Sequence, residues 1–196
     1  LIVQIFIRRT RSDIKEYYPD EKIIFPKRNG PYRIDYSIDK VYPGGLYNRL
    51  KQDIKNLTYA RYNLGKYAIP EEFDDPDELQ RLTVAWANLQ RLVQINLYRR
   101  LESSVKALKD TLSNHLKIHQ GFERILEKQN KIFVGDITDI EKIISALENG
   151  EDIDFDSDEF YDAKKFKVNE LLKDLNKDIN TFKSMEVAIK NISHHK

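Results

Sequence analysis

From Leu79 onward, apolar residues fall at 79, 82, 86, 89, 93, 97, 101, 105, 108, 112 and 116, with steps of three or four almost throughout. That spacing marks one face of a helix. Unbroken, these 38 residues would be about 57 Å long at ~1.5 Å per residue, which predicts a kink or short turn near Asn96. Just upstream, Asp75-Pro76-Asp77-Glu78 supplies an N-cap, a proline at the first helical position and carboxylates in the first turn. Gly121 is the first strong breaker downstream, and Phe122, Ile125 and Leu126 suit a separate helical stretch. A capped helix follows from about Thr138 to Glu148, with Ile140, Ile143, Ile144 and Leu147 inward. The last helix runs from about Ala163 to Ser193, with Phe166, Leu171, Leu175, Ile179, Phe182, Val187 and Ile189 apolar.

The first seventy residues are less regular. IVQIFI (2 to 7) has the composition of a buried strand, whereas RRTRSDIKEYY has helical spacing, and the pattern does not decide between the two. KIIF (22 to 25) and YRIDYSI (32 to 38) are short β-like runs, and the prolines around Asn29-Gly30 argue against a tight two-residue hairpin. Leu46, Leu50, Ile54 and Leu57 mark another helix. The expected fold is mainly α, a long-helix bundle with a small β or extended element near the N-terminus. Four segments result: 1–42, extended; 43–131, helical; 132–162, an acidic connection with a short helix; and 163–196, the C-terminal helix.

About 40% of the 196 residues are apolar and a third are charged, which describes a globular, water-soluble chain. There is no cysteine, hence no disulfide framework and no thiolate nucleophile or metal site. The cytoplasm is the default location. LIVQIFIRRT reverses the basic-then-apolar order of a secretory signal and is too short to span a bilayer. The first residue is leucine and the only methionine is Met185, so we expect a piece of something longer.

Net charge is +1, but its signs are segregated. Residues 1–70 carry 14 basic and 7 acidic groups and residues 81–131 carry 10 and 4, whereas 71–80 hold six acids and no base. Residues 132–162 hold eleven acids and one base. The basic stretches could attract a polyanion, or the blocks could neutralise one another within the fold.

Few residues suggest chemistry. None of the seven glycines begins a phosphate-binding GxxxxGK[ST] or GxGxxG pattern. Asp77-Glu78 and Asp158-Glu159 follow turn-like residues, where an acidic box needs an apolar strand, so capping and solvation are their expected roles. His115 and His119 have a spacing that zinc can use, against the simpler expectation of solvated histidines on a helix surface. Asp152, Asp154, Asp156 and Asp158 suggest calcium, yet the sixth and twelfth loop positions hold Ser157 and Ala163 where glycine and glutamate belong. Ser103 and Ser104 lie on no nucleophile elbow. Tyr17, Tyr18, Tyr32 and Tyr36 interleave with Arg8, Arg9, Arg11, Lys27, Arg28 and Arg33, which suits either a nucleic acid or an amphipathic interface.

Three stretches, in order, carry a resemblance. IFIRRTRSDIKEYYP (5 to 19), IIFPKR (23 to 28) and NLYRRLESSVKALKDTL (96 to 112), with ARYNLG (60 to 65) between them, resemble the region between the two RecA-like motor lobes of Swi/Snf-related, RapA-like superfamily-two helicases. The resemblance spans roughly residues 5 to 112. It implies that residues 1–42 end the first motor lobe and begin a linker, and that the chain is a non-catalytic middle fragment of a DNA-dependent ATPase. The parent would use ATP and magnesium. The family's ATP-binding loop, acidic box and second-lobe arginine motif have no counterpart here, so no catalytic, cofactor or metal residue is carried over. The implied partners are the flanking lobes and double-stranded DNA, with Arg8, Arg9, Arg11, Arg99 and Arg100 as candidate DNA or coupling residues and no role for a membrane. The alternative is a non-enzymatic helical protein-protein interaction module that uses the apolar stripe from Leu79 to Leu116.

Overall fold

The computed structural model describes residues 10–21, 25, 30, 31, 33, 37–135, 139–151, 153–155 and 157–192, with the side chain of Glu141 excepted. They belong to two compact units, residues 1–36 and 37–196. The expected N-terminal β-like runs lie largely outside the described residues.

In the first unit, helix α1 (Arg11–Tyr17) opens with a reciprocal cap. The Asp13 N–H donates to Thr10 Oγ1 at 3.2 Å, and the Thr10 N–H donates to the Asp13 carboxylate at 2.6 Å. Two of the helix's orphan donors are thereby satisfied. Arg11 stacks its guanidinium 5.4 Å from the Phe25 ring centroid.

The second unit holds α2 (Ile38–Val41), α3 (Leu46–Asn56), α4 (Pro76–Ser103), α5 (Val105–Gln129), α6 (Ile140–Asn149) and α7 (Val168–Ile189). The protein is mainly α, as the periodicity predicts. Its one described sheet is a pair of three-residue antiparallel strands, β1 (Lys131–Phe133) and β2 (Phe160–Asp162), with Ile132 opposite Tyr161. No β element was expected there. Three residues are too few for a period-2 signal, and the pairing joins segments nearly thirty residues apart.

Two apolar clusters fill the core, and α4, α5 and α7 contribute to both. Trp86, Ile118, Phe122, Ile125, Leu171 and Leu175 lie in one; Val93, Leu97, Leu101, Leu108, Leu112, Phe182 and Met185 lie in the other. Low numbers on α5 thus meet high numbers on α4 and α7, so α5 runs antiparallel to both. The stripe from Leu79 to Leu116 is buried or half-buried at every position, within this chain's own core.

α4 continues unbroken through Asn96, and the interruption falls instead at Ser104. Asp75 caps α4 and Pro76 takes its first position, as the sequence indicates. Ser104 is extended (φ −160°, ψ 150°) and ends α4. Its Oγ accepts the Ala107 N–H at 3.0 Å, which starts α5. At the same end, the Tyr42 hydroxyl donates to the Leu101 carbonyl at 3.0 Å, satisfying a last-turn acceptor.

Gly121 breaks nothing. It is buried within α5, where a Cβ would overlap Ile144 Cδ1 of α6, so the glycine there permits close helix approach. Expected as a helix stop, it serves as a packing notch.

Candidate functional site

The polar groups that the helices bury gather around residues 58–67, between α3 and α4. Tyr59 adopts the left-handed conformation (φ 55°, ψ 36°), which a bulky residue enters only when its surroundings hold it there. Asp178 of α7 does the holding. Fully buried, its carboxylate accepts the Thr58 N–H at 2.7 Å, the Thr58 hydroxyl at 2.8 Å and the Ala60 N–H at 2.9 Å. Burial raises the pKa of Asp178 against the pull of those three donors. One turn earlier on α7, Asp174 accepts Lys66 Nζ at 2.6 Å and the Tyr67 hydroxyl at 2.8 Å. The Lys66 bond, followed by the Tyr67 bond, outweighs burial and lowers the Asp174 pKa.

Arg61 points the other way, into the core. Only 3% exposed, its guanidinium sits 4.9 Å from the Phe122 ring centroid, 5.9 Å from Tyr62 and 6.0 Å from Phe133. No carboxylate among the described residues pairs with it, and its Nε has no hydrogen-bond partner. Burial lowers its pKa. The aromatic faces supply the compensating negative charge.

His115 and His119, expected on a solvated surface, are both buried. The Tyr62 hydroxyl lies 2.8 Å from His115 Nδ1, and His119 Nδ1 lies 2.7 Å from the His115 carbonyl oxygen. His115 also stacks on Phe182, with centroids 5.4 Å apart and planes 15° from parallel. Burial lowers His115 to about 4 and His119 to about 3, so both rings are neutral at pH 7. Two buried, neutral rings with their Nδ1 atoms engaged locally act as packing groups. The spacing that suggested zinc is here the inward face of α5.

The other candidates are on the surface. Arg99 and Arg100 are adjacent and exposed near the end of α4, and no described carboxylate pairs with either. Arg11 belongs to the first unit; Arg8 and Arg9 lie outside the described residues. Ser103 and Ser104 are exposed, and Ser104 is a cap. Asp77 is exposed at the start of α4, Glu78 accepts the Tyr161 hydroxyl at 3.0 Å, and Asp158 and Glu159 are exposed beside β2. Among the described residues no three His, Asp or Glu side chains converge as metal ligands would, and no helix is long and apolar enough to cross a membrane.

Sequence reasoning missed a second apolar set on α4. Val84, Leu92 and Ile95 are 57%, 63% and 49% exposed, out of phase with the buried stripe. No carboxylate interrupts residues 79–101, while Arg81, Arg91, Arg99 and Arg100 all lie exposed there. α4 therefore presents an outer face that mixes aliphatic and basic side chains. Comparison of the chain with protein-family models, curated proteins and solved structures gives no match.

Proposed function

We propose that this chain is a non-catalytic helical connector from a DNA-dependent ATPase of the Swi/Snf-related kind, joining two motor lobes and offering Arg99 and Arg100 to duplex DNA. ATP and magnesium would act in the parent's lobes. The observation that carries the reading is what the resembling stretches do here. ARYNLG forms the buried junction that ties residues 58–67 to α5 and α7, and RRLESS ends one long helix and caps the next. Both are devices for holding helices at a defined angle, as a connector needs if it is to bias a hinge motion between lobes. An exposed arginine pair without a carboxylate partner suits phosphate contact.

The test is fluorescence anisotropy with a labelled duplex at low salt. Binding should weaken steeply as salt rises, and Arg99→Ala/Arg100→Ala should reduce both the affinity and the salt slope. Absence of binding at low salt removes the DNA half of the proposal. Lobe coupling is tested separately in the parent, where the same substitutions should reduce DNA-stimulated ATPase activity and spare basal turnover.

A further inference from the structure

The outer face of α4 has an order that simple exposure does not require. At 3.6 residues per turn, Asp77, Arg81, Val84, Asn88, Leu92, Ile95 and Arg99 lie along one ridge, opposite the buried Trp86, Val93 and Leu97. Their steps are 4, 3, 4, 4, 3 and 4, the same in both directions from Asn88. A second α4 laid antiparallel across a twofold axis at Asn88 sets residue i opposite residue 176 − i. Asp77 then faces Arg99, Arg81 faces Ile95, Val84 faces Leu92, and Asn88 faces its own copy.

We propose that this ridge is a homodimer interface, occupied by a second copy of this chain running antiparallel about Asn88. The chemistry matches at every step. A carboxylate meets a guanidinium at both ends, and neither Asp77 nor Arg99 has an ion-pair partner among the described residues. Aliphatic side chains meet in the middle, where they are now exposed to water. At the axis two amides exchange hydrogen bonds, a device that fixes register in helix pairs. The Arg81 stem lies over Ile95 while its head stays near Asp75, 3.6 Å away. Arg91 flanks the ridge opposite Ala85, free to reach water.

Other occupants fit less well. A parallel copy would oppose Arg81 to Arg81 and Arg99 to Arg99. Duplex DNA offers nothing to three exposed aliphatic side chains, since its affinity comes from phosphates. With three aliphatic residues per copy, the pair belongs to the weak, transient class of interface. Arg99 is shared by the ridge and the arginine pair, whereas Arg100 lies off the ridge, so Arg100→Ala alone should weaken DNA contact and leave the dimer intact.

The experiment uses nuclease-treated protein in sedimentation velocity over a concentration series, together with cysteine cross-linking. The chain has no cysteine of its own. Asn88→Cys should form a disulfide-linked dimer on oxidation. Arg81→Cys should not, because its copy is fourteen positions away, about 21 Å along the helix. Asp77→Arg or Arg99→Asp alone should weaken association about tenfold, and the double variant Asp77→Arg/Arg99→Asp should restore it. All of these positions are exposed, and unchanged circular dichroism confirms the fold. A monomer at every concentration, equal cross-linking at positions 81 and 88, a charge swap without rescue, or a dimer that requires added DNA would each overturn the proposal.

Discussion

The Ala60 N–H donates to a carboxylate oxygen of Asp178 at 2.9 Å, across 118 positions of sequence. Together with the two bonds from Thr58, it fixes the chain's entry into a left-handed turn at Tyr59 and fastens that turn to α7. Both carboxylate oxygens are used as acceptors. Asp178→Asn replaces one with a donor that faces an N–H, so we expect a loss of about 2 kcal/mol, measured by urea unfolding. Wild-type stability in that variant would show that the turn is held by other contacts.

Acid should loosen the core before any carboxylate pair breaks. His115 and His119 sit below their ordinary value of 6.5, so the unfolded chain takes up protons first as pH falls. Their contribution is complete above about 6.5 and is lost as pH falls toward 4 and then 3, at up to about 1.4 kcal/mol per unit for each ring. Asp178, with its pKa raised, partly opposes this in the acid part of the window. Thermal melts from pH 7.5 to 4.5 should show Tm falling below pH 6.5, with a shallower slope in His119→Gln. Equal slopes would mean that His119 does not titrate on unfolding.

Arg61 is retained at a cost. Replacing a buried, unpaired charge with an apolar chain of similar length removes its desolvation penalty, so Arg61→Met should raise stability by about 1 kcal/mol. A loss of that size instead would show that the Phe122, Tyr62 and Phe133 faces more than offset burial.

At Gly121 two effects compete. Alanine gains about 1 kcal/mol in helix propensity over glycine, while overpacking a core costs about 1–3 kcal/mol. Because the added methyl would meet only the terminal Cδ1 of the half-buried Ile144, which can turn aside, the two effects nearly cancel: Gly121→Ala should change stability by less than about 1 kcal/mol, and Gly121→Ala/Ile144→Val should be the more stable of the two variants. A larger gain in the single variant would indicate that α6 moves aside freely.

Ser104→Ala removes the α5 cap and should cost about 1 kcal/mol, while Ser104→Asp should retain most of it. Chemical unfolding of the three proteins distinguishes a cap from a mere surface serine.

These residues also explain which parts of the fold were readable. The Asp75-Pro76 cap and the stripe from Leu79 follow local rules, and they appear where expected. The α4–α5 break did not, because the step from Leu101 to Val105 is four whether or not the helix is interrupted. Only the Ser104 side chain bonding to Ala107 marks it. The polar imidazoles of His115 and His119 suggest a surface position, yet they continue the 108, 112 progression into 122 and 126. Gly121 looked like a stop because its partner, Ile144, is remote in sequence. Asp178, one aspartate among many on paper, is distinguished only by what folds against it. Val84, Leu92 and Ile95 are hidden in the pattern because the stronger inward stripe dominates the periodicity of α4.

The strand pair has one more effect. Val134 and Glu159 are tied by a 2.8 Å backbone bond just beyond the sheet, and Ala163 donates to the Asn130 carbonyl at 3.1 Å on its other side. The ends of α5 and the lead into α7 are thus clamped together independently of what the chain does between α6 and β2. Closing a longer loop there costs only about 0.6 kcal/mol per doubling of its length. A reporter peptide or small guest domain grafted just after Glu151, ahead of the Phe155 ring that packs on Phe160 and the Ser157 carbonyl that accepts the Phe160 N–H, would hang from a closed neck.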